Sequence, residues 1–186
     1  LAQIPLFAKY RTEEHPIVIG GGPCTYNPEP LADFFDIFYI GEGETVFYDL
    51  MDKYKEWKAS GKSKKEFLEM AAEIEGIYVP SLYSVDYNED GTIKQYTANG
   101  GAPSVVNKRV VADLDNIYYP ENFVVPFVEV VHDRVVHEIF RGCIRGCRFC
   151  QAGFWYRPIR EKSVDTISKQ SQKIACETGY DELSLC

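Results

Sequence analysis

Three cysteines lie within eight residues of this 186-residue chain, at positions 143, 147 and 150, with the spacing Cys-x3-Cys-x2-Cys. Successive side chains of a strand or helix point in different directions, so regular structure does not bring all three thiols together. A loop can do so, and Gly142 and Gly146 tolerate the positive φ angles of a tight loop. The spacing therefore predicts a loop in which Cys143, Cys147 and Cys150 converge on one centre.

Clustered thiolates bind soft metals, and an iron–sulfur cluster and a zinc ion are the leading candidates for such a loop. A structural zinc site takes four protein ligands, whereas this loop supplies three. The fourth position is therefore either open, as in a catalytic centre, or filled from elsewhere in the chain. A disulfide between two of the cysteines is a further alternative.

The loop resembles the cluster-binding loop of radical S-adenosylmethionine (SAM) enzymes in its cysteine spacing and in the aromatic Phe149 just before the last cysteine. The resemblance implies that Cys143, Cys147 and Cys150 hold a [4Fe–4S] cluster whose fourth iron binds SAM, with Phe149 near the adenine. It implies reductive cleavage of SAM to a 5′-deoxyadenosyl radical that acts on an unknown substrate. It also implies an external electron donor such as flavodoxin or ferredoxin.

The longer segment 140–160, FRGCIRGCRFCQAGFWYRPIR, resembles a narrower group of radical SAM proteins with an N-terminal cobalamin-binding-type domain, often labelled Fe–S oxidoreductases. This resemblance implies the C-terminal half of a Rossmann-like, cobalamin-binding-type domain at residues 1–62. It places Gly20, Gly21 and Gly22 beside the nucleotide tail of cobalamin and makes cobalamin-linked methyl transfer a candidate activity. The Asp-x-His-x-x-Gly motif that ligates cobalt is absent from the sequence.

Two other interpretations remain open. A methylthiotransferase acting on RNA or a ribosomal protein shares the cysteine loop, but that group has further cluster cysteines in its N-terminal domain. Here the first 130 residues contain only Cys24. A non-catalytic metal or electron-transfer module is the second alternative. The formal net charge of −8 provides no sequence-wide basic field for nucleic acid.

Strands and helices alternate in the pattern of the N-terminal residues, which predicts parallel α/β layering. Apolar runs at 17–19 and 36–40 predict two buried strands, each followed by a glycine-rich turn. Asn27 as N-cap predicts a helix after the first strand. The amphipathic segment 45–57 predicts a long helix after the second strand.

The middle of the chain, residues 63–131, is predicted to be a helix followed by a small antiparallel β connector. Ser63 and Glu66 have the spacing of a capping box at the start of that helix. A turn at 88–91 predicts a hairpin, and residues 105–111 predict a further strand.

For residues 132–186, the resemblance implies the start of a radical SAM domain, the first βαβ unit of a partial TIM barrel. Residues 135–140 predict a strand that delivers the cysteines at its carboxyl end, where active sites of parallel α/β folds lie. Ser163 and Gly179 have the positions of an N-cap and a C-cap around a helix, and residues 181–186 predict the second strand.

The chain starts at Leu1 without methionine and stops at Cys186 in an apolar run. We therefore expect an internal fragment of a longer protein that does not turn over SAM alone. No apolar run approaches the roughly 20 residues that span a bilayer, and no signal peptide is recognisable, so a cytoplasmic location without membrane contact is predicted. The exposed edge of an unfinished barrel predicts a homodimer.

Overall fold

The computed structural model describes residues 2–120, 122–128 and 130–186, and the chain divides into two compact units, Leu1–Val110 and Val111–Cys186. Strands and helices occur in both units, in agreement with the predicted α/β class. Within the described part of the chain, no helix is both long enough and apolar enough to cross a membrane. The domain boundaries drawn at residues 62 and 131 stay predictions.

The N-terminal unit is built on a three-stranded sheet in the order β1-β2-β3. Strands β1 (Ile19–Gly20) and β2 (Ile37–Tyr39) are parallel, and β3 (Ile77–Tyr78) is antiparallel to β2. The predicted parallel pairing of the first two strands is confirmed. The Rossmann-like, cobalamin-binding identity of this unit stays a prediction.

Two helices cover this sheet, and both were predicted. Helix α1 (Gly43–Ser60) ends at Gly61, which has φ +69. Helix α2 (Lys64–Ala72) begins with the predicted capping box, in which the Glu66 N–H donates to Ser63 Oγ and the Ser63 N–H donates to the Glu66 carboxylate. The buried residues of the core are Ile37, Val46, Leu50, Trp57, Phe67, Ala71, Ala72, Ile77, Val79 and Leu82.

The predicted hairpin is confirmed as the antiparallel pair β4 (Tyr83–Tyr87) and β5 (Ile93–Ala98). Its turn is closed where the Asn88 N–H donates to the Thr92 carbonyl at 2.8 Å. The turn residues predicted at 88–91 therefore join the two strands as expected.

Two predictions in this unit are wrong. Residues 29–34 form a helix, as predicted, but it is a 3₁₀ helix, and the predicted cap at Asn27 is wrong because Pro28 is the cap residue. Proline has no side-chain acceptor for the first N–H groups, and no side chain caps this helix. Residues 105–111 form no strand; Arg109 alone makes an isolated parallel bridge, to Gly41.

In the described residues of the C-terminal unit, one strand pair is parallel and one is antiparallel. Its elements are β6 (Val135–His137), β7 (Phe140–Arg141), α3 (Ala152–Trp155), β8 (Arg160–Glu161), α4 (Val164–Thr178) and β9 (Leu183–Leu185). Strands β6 and β9 are parallel, with α4 between them in sequence, so the predicted βαβ unit is confirmed. Helix α4 has Ser163 as N-cap and Gly179, at φ +76, as C-cap. The place of this unit in a barrel stays a prediction.

The single strand predicted at 135–140 is wrong, because the chain changes partners at Ile139. The Ile139 N–H donates to the Cys186 carbonyl at 2.8 Å, while the Ile139 carbonyl accepts from the Lys162 N–H at 2.9 Å. The first bond continues the pairing with β9, and the second begins the pairing of β7 with β8. Residues 135–141 therefore form two short strands.

Candidate functional site

Residues 142–159, which we call the cysteine loop, connect β7 to β8. The antiparallel register places Phe140 opposite Glu161 and Arg141 opposite Arg160. Because these two strands pair, the ends of the loop are held together at its base. The cysteines lie on a loop, as predicted, but this loop follows the antiparallel strand β7 and not the parallel strand β6.

Gly142 opens the cysteine loop with φ +104, a conformation that other residues rarely adopt. A Cβ atom at this position would lie 2.9 Å from the Tyr156 carbonyl oxygen and 2.9 Å from Ile159 Cα. The start of the loop therefore packs directly against its end, and only glycine fits there.

A second close approach occurs at Gly153 in α3, where a Cβ atom would lie 2.7 Å from the Arg145 carbonyl oxygen. No sequence pattern predicted this role for Gly153. For Gly146 the expectation of a positive φ is wrong: its φ lies outside the left-handed region, and a Cβ there would meet open space. Gly142 and Gly153 are thus the glycines that let the loop pack.

Cys143, Cys147 and Cys150 are free thiols; Cys147 is exposed and the other two are partly buried. The Cys150 N–H donates to the Cys147 carbonyl at 3.1 Å, so a tight turn joins these two residues. Among the residues that the structure describes, no group of three His, Cys, Asp or Glu side chains is positioned to hold a metal ion. The structure therefore places the cysteines on one loop without gathering their thiols on one centre.

The donor set nevertheless fits an iron–sulfur cluster. No disulfide occupies the three thiols, and thiolates are the ligands that such clusters take. Residues 142–159 contain no His, Asp, Glu or further Cys, and their charged side chains are all arginines, Arg145, Arg148 and Arg157. The loop thus offers three sulfur ligands in a positively charged segment, which suits an anionic metal–thiolate group.

An open cavity of about 560 Å³ adjoins the first cysteine and is lined by Cys143, Ile144, Arg157, Pro158 and Ile159. The Arg157 guanidinium lies over the Phe154 ring, 4.9 Å from its centroid. Such a cation–π contact restrains the arginine side chain beside the cavity.

The Phe149 side chain is 92% exposed. Its ring is therefore accessible for stacking. The predicted position of Phe149 next to the adenine of SAM stays a prediction.

Two arginines at the base of the cysteine loop have defined partners. Arg141 makes a bidentate pair with Glu138, with both N–O distances at 2.9 Å. Arg160 is buried and donates to main-chain carbonyls, including that of Val111 at 2.7 Å. No motif of the sequence predicted either role; the density of arginine and aromatic residues at 154–160 was a signal for Arg160 alone.

A buried polar cluster lies between β6 and α4. The fully buried His137 has Nδ1 2.7 Å from Ser171 Oγ and Nε2 3.1 Å from Gln170 Oε1, so that its Nε2–H donates to Gln170. The Lys162 Nζ atom is 3.5 Å from His137 Nε2 and 3.5 Å from the centroid of the Tyr119 ring. Burial lowers the pKa of His137 and also lowers the pKa of Lys162.

The predicted cobalamin loop, Gly20 to Gly22, lies at the end of β1. A Cβ at Gly20 would lie 2.9 Å from the Phe38 ring, and one at Gly21 would lie 3.3 Å from the Tyr39 ring. Gly22 has φ +94 and open space around it. Packing against Phe38 thus explains why position 20 is a glycine. The contact of all three glycines with cobalamin stays a prediction.

Comparison with known proteins connects the N-terminal unit to a family. Residues 1–80 match the family model described as "Radical SAM proteins, N-terminal". Over 152 residues the chain is 32% identical to an uncharacterized protein of Methanocaldococcus jannaschii, an alignment that covers 81% of the chain and 27% of that protein. The chain therefore spans about a quarter of the length of this curated relative. The family match supports the radical SAM superfamily, and it comes from residues that do not include the cysteine loop.

Proposed function

We propose that this chain carries the cluster-binding loop of a radical SAM enzyme, in which Cys143, Cys147 and Cys150 ligate a [4Fe–4S] cluster. The observation that carries the proposal is the cysteine loop itself, which holds three free thiols between two paired strands and has no other ligand. The family match at residues 1–80 supports the same superfamily independently.

The role of the loop follows from its donor count. Cys143, Cys147 and Cys150 would hold three irons of a four-iron cluster, and the iron without a protein ligand would be free to bind SAM. When bound, the cluster supplies the electron for reductive cleavage of SAM to a 5′-deoxyadenosyl radical. Because metal binding and ordering of the ligands are coupled, we expect the three thiols to be gathered as the cluster assembles.

Two exposed side chains of the cysteine loop, Phe149 and Cys147, have roles in this proposal. Phe149, whose ring is exposed, would stack on the adenine of SAM. Cys147 is exposed as well, so an external donor such as flavodoxin or ferredoxin would reach the cluster from this side. The hydrogen donor on which the radical acts is an unknown substrate.

Cobalamin-linked methyl transfer is a narrower form of this proposal, with Gly20, Gly21 and Gly22 next to the cofactor. Its support is the resemblance of the segment 140–160 to proteins with a cobalamin-binding-type domain. The internal packing of Gly20 against Phe38 gives this glycine a role without any cofactor. Binding of cobalamin to the chain, followed by its visible absorption, tests this form separately.

Anaerobic reconstitution with iron and sulfide tests the main proposal. We expect about four iron and four sulfide per chain, and a [4Fe–4S]⁺ paramagnetic-resonance signal after dithionite reduction that changes when SAM is added. Cys143→Ala is expected to abolish the SAM-responsive signal. The matched control is Cys176→Ala, which removes an exposed cysteine of α4 and should leave the signal intact.

The competing functions give different results in the same experiment. Stoichiometric zinc in anaerobically prepared protein, or a cluster signal that SAM does not alter, would contradict the proposal and favour a non-catalytic metal or electron-transfer module. A methylthiotransferase would share the SAM response, and RNA binding separates its RNA-directed form from the main proposal.

A further inference from the structure

The Arg160 side chain joins three separate main-chain carbonyls at the base of the cysteine loop. Its Nη1 donates to the Val111 carbonyl at 2.7 Å, its Nε to the Pro158 carbonyl at 2.9 Å, and its Nη2 to the Tyr156 carbonyl at 3.4 Å. The residue is only 9% exposed. All three guanidinium nitrogens thus bond to backbone in a place that water reaches poorly.

One of these carbonyls also sets the position of the first cysteine. The Tyr156 carbonyl oxygen is the atom that would lie 2.9 Å from a Cβ at Gly142, and Ile159 Cα faces the same point. Gly142 immediately precedes Cys143. The path of the 156–159 backbone therefore determines the position of the Cys143 main chain.

We infer that Arg160 is a positioning residue for the cluster: its guanidinium fixes the 156–159 backbone against Gly142 and thereby holds Cys143 in place. This inference rests on the proposed function. It adds to the three ligands a residue that touches no metal and acts through main-chain atoms.

The chemistry of arginine explains why this residue type is needed. A guanidinium presents its donors in a rigid planar fork, whereas a lysine ammonium is a compact charge at the end of a flexible chain. Lysine at position 160 would keep the positive charge near the cluster. Its single ammonium group would not donate hydrogen bonds to all three carbonyls as the planar guanidinium does. Arg160→Lys therefore separates loss of the fork from loss of charge.

The experiment uses the full chain with its cluster reconstituted and measures the rate of iron release to a chelator. For Arg160→Lys we expect release to be about tenfold faster, which corresponds to the lower end of the loss of metal affinity that follows when a residue supporting metal ligands is changed. We also expect the paramagnetic-resonance lines of the reduced cluster to broaden, because the Cys143 ligand occupies a range of positions.

The control is Ile174→Ala, which removes a buried side chain of α4 in the same unit and lowers thermal stability without altering the loop contacts. It should release iron at close to the wild-type rate. If Arg160→Lys does not fold, Arg160→Met, which keeps much of the apolar stem, repeats the comparison.

The results separate the two proposals. If the wild-type chain takes up no cluster, the proposed function fails. If the wild-type chain loads a cluster and the Arg160 variants release iron no faster than Ile174→Ala, the proposed function survives and the role of Arg160 is refuted.

Discussion

At Gly142 the backbone of the cysteine loop passes too close to residues 156–159 for any side chain to fit. Two constraints act together at this residue: its φ of +104 and the 2.9 Å separation of a Cβ position from the Tyr156 carbonyl. Both neighbouring atoms belong to the main chain, so neither can move aside as a flexible side chain would.

We predict that Gly142→Ala destabilises the C-terminal unit by about 1–3 kcal/mol, the cost of a residue held in a disfavoured backbone conformation. Because Cys143 follows directly, the iron content after reconstitution should fall as well. Thermal unfolding and iron analysis measure the two effects.

Gly146→Ala is the matched control, since this glycine lies on the same loop between two cysteines but faces open space. It should keep both the stability and the iron content of the wild type. Equal losses for the two substitutions would contradict the assignment of Gly142 as the packing glycine.

At the scale of elements, the βαβ unit contains a buried histidine beside a buried lysine. His137 faces α4, where Gln170 and Ser171 hold its ring, and the Lys162 ammonium lies 3.5 Å from Nε2. Protonation of His137 would place a second positive charge next to Lys162 in the interior. Burial already disfavours the charged ring, and its pKa is lowered accordingly.

We therefore predict that the C-terminal unit loses stability as the pH falls below about 6.5, the ordinary pKa of histidine. In that range the unfolded chain binds a proton at His137 while the folded chain does not, so acid favours unfolding. The contribution of this residue should reach at most about 1.4 kcal/mol per pH unit, and it should be absent above pH 7. Chemical denaturation at a series of pH values measures it.

His137→Gln should reduce this pH dependence, whatever its effect on stability at pH 7. His132→Gln, which changes an exposed histidine close to the same strand, should leave it in place. A pH profile that is identical in the wild type and His137→Gln would show that another group is responsible.

At the scale of the whole molecule, the net charge bears on whether the protein acts on RNA. The chain has 20 Lys and Arg residues against 28 Asp and Glu, a formal net charge of −8. Nucleic-acid binding without sequence preference depends on neutralising phosphates with basic side chains, and this balance opposes it.

We predict no RNA binding tighter than about 10⁻⁴ M at physiological salt. Fluorescence anisotropy with a labelled transfer-RNA-sized probe measures this, and the same titration at low salt shows whether any weak binding is electrostatic. Micromolar, salt-dependent binding would contradict the prediction and favour the RNA-directed methylthiotransferase.

Some elements of the fold follow from neighbouring residues alone, and these were predicted. The capping box at Ser63, the C-cap at Gly179 and the hairpin turn at 88–91 each depend on contacts within a few residues. The segment at 29–34 shows the limit of this reasoning, because its helix is a 3₁₀ helix and its cap residue is Pro28 instead of the predicted Asn27. The strand predicted at 105–111 is wrong for a different reason. A strand needs a hydrogen-bonded partner along its length, and here only Arg109 makes a bridge, to Gly41.

The sequence by itself determined which chemical groups are available: three cysteines at close spacing, no other ligand among residues 142–159, and a parallel βαβ pattern around them. The tertiary structure decided how these residues are held. The change of partner at Ile139, the packing of Gly153 on Arg145 and the bonds of Arg160 to three carbonyls all join residues that periodicity does not relate. Such contacts depend on the path of the backbone in space, and a local pattern of side chains does not encode that path.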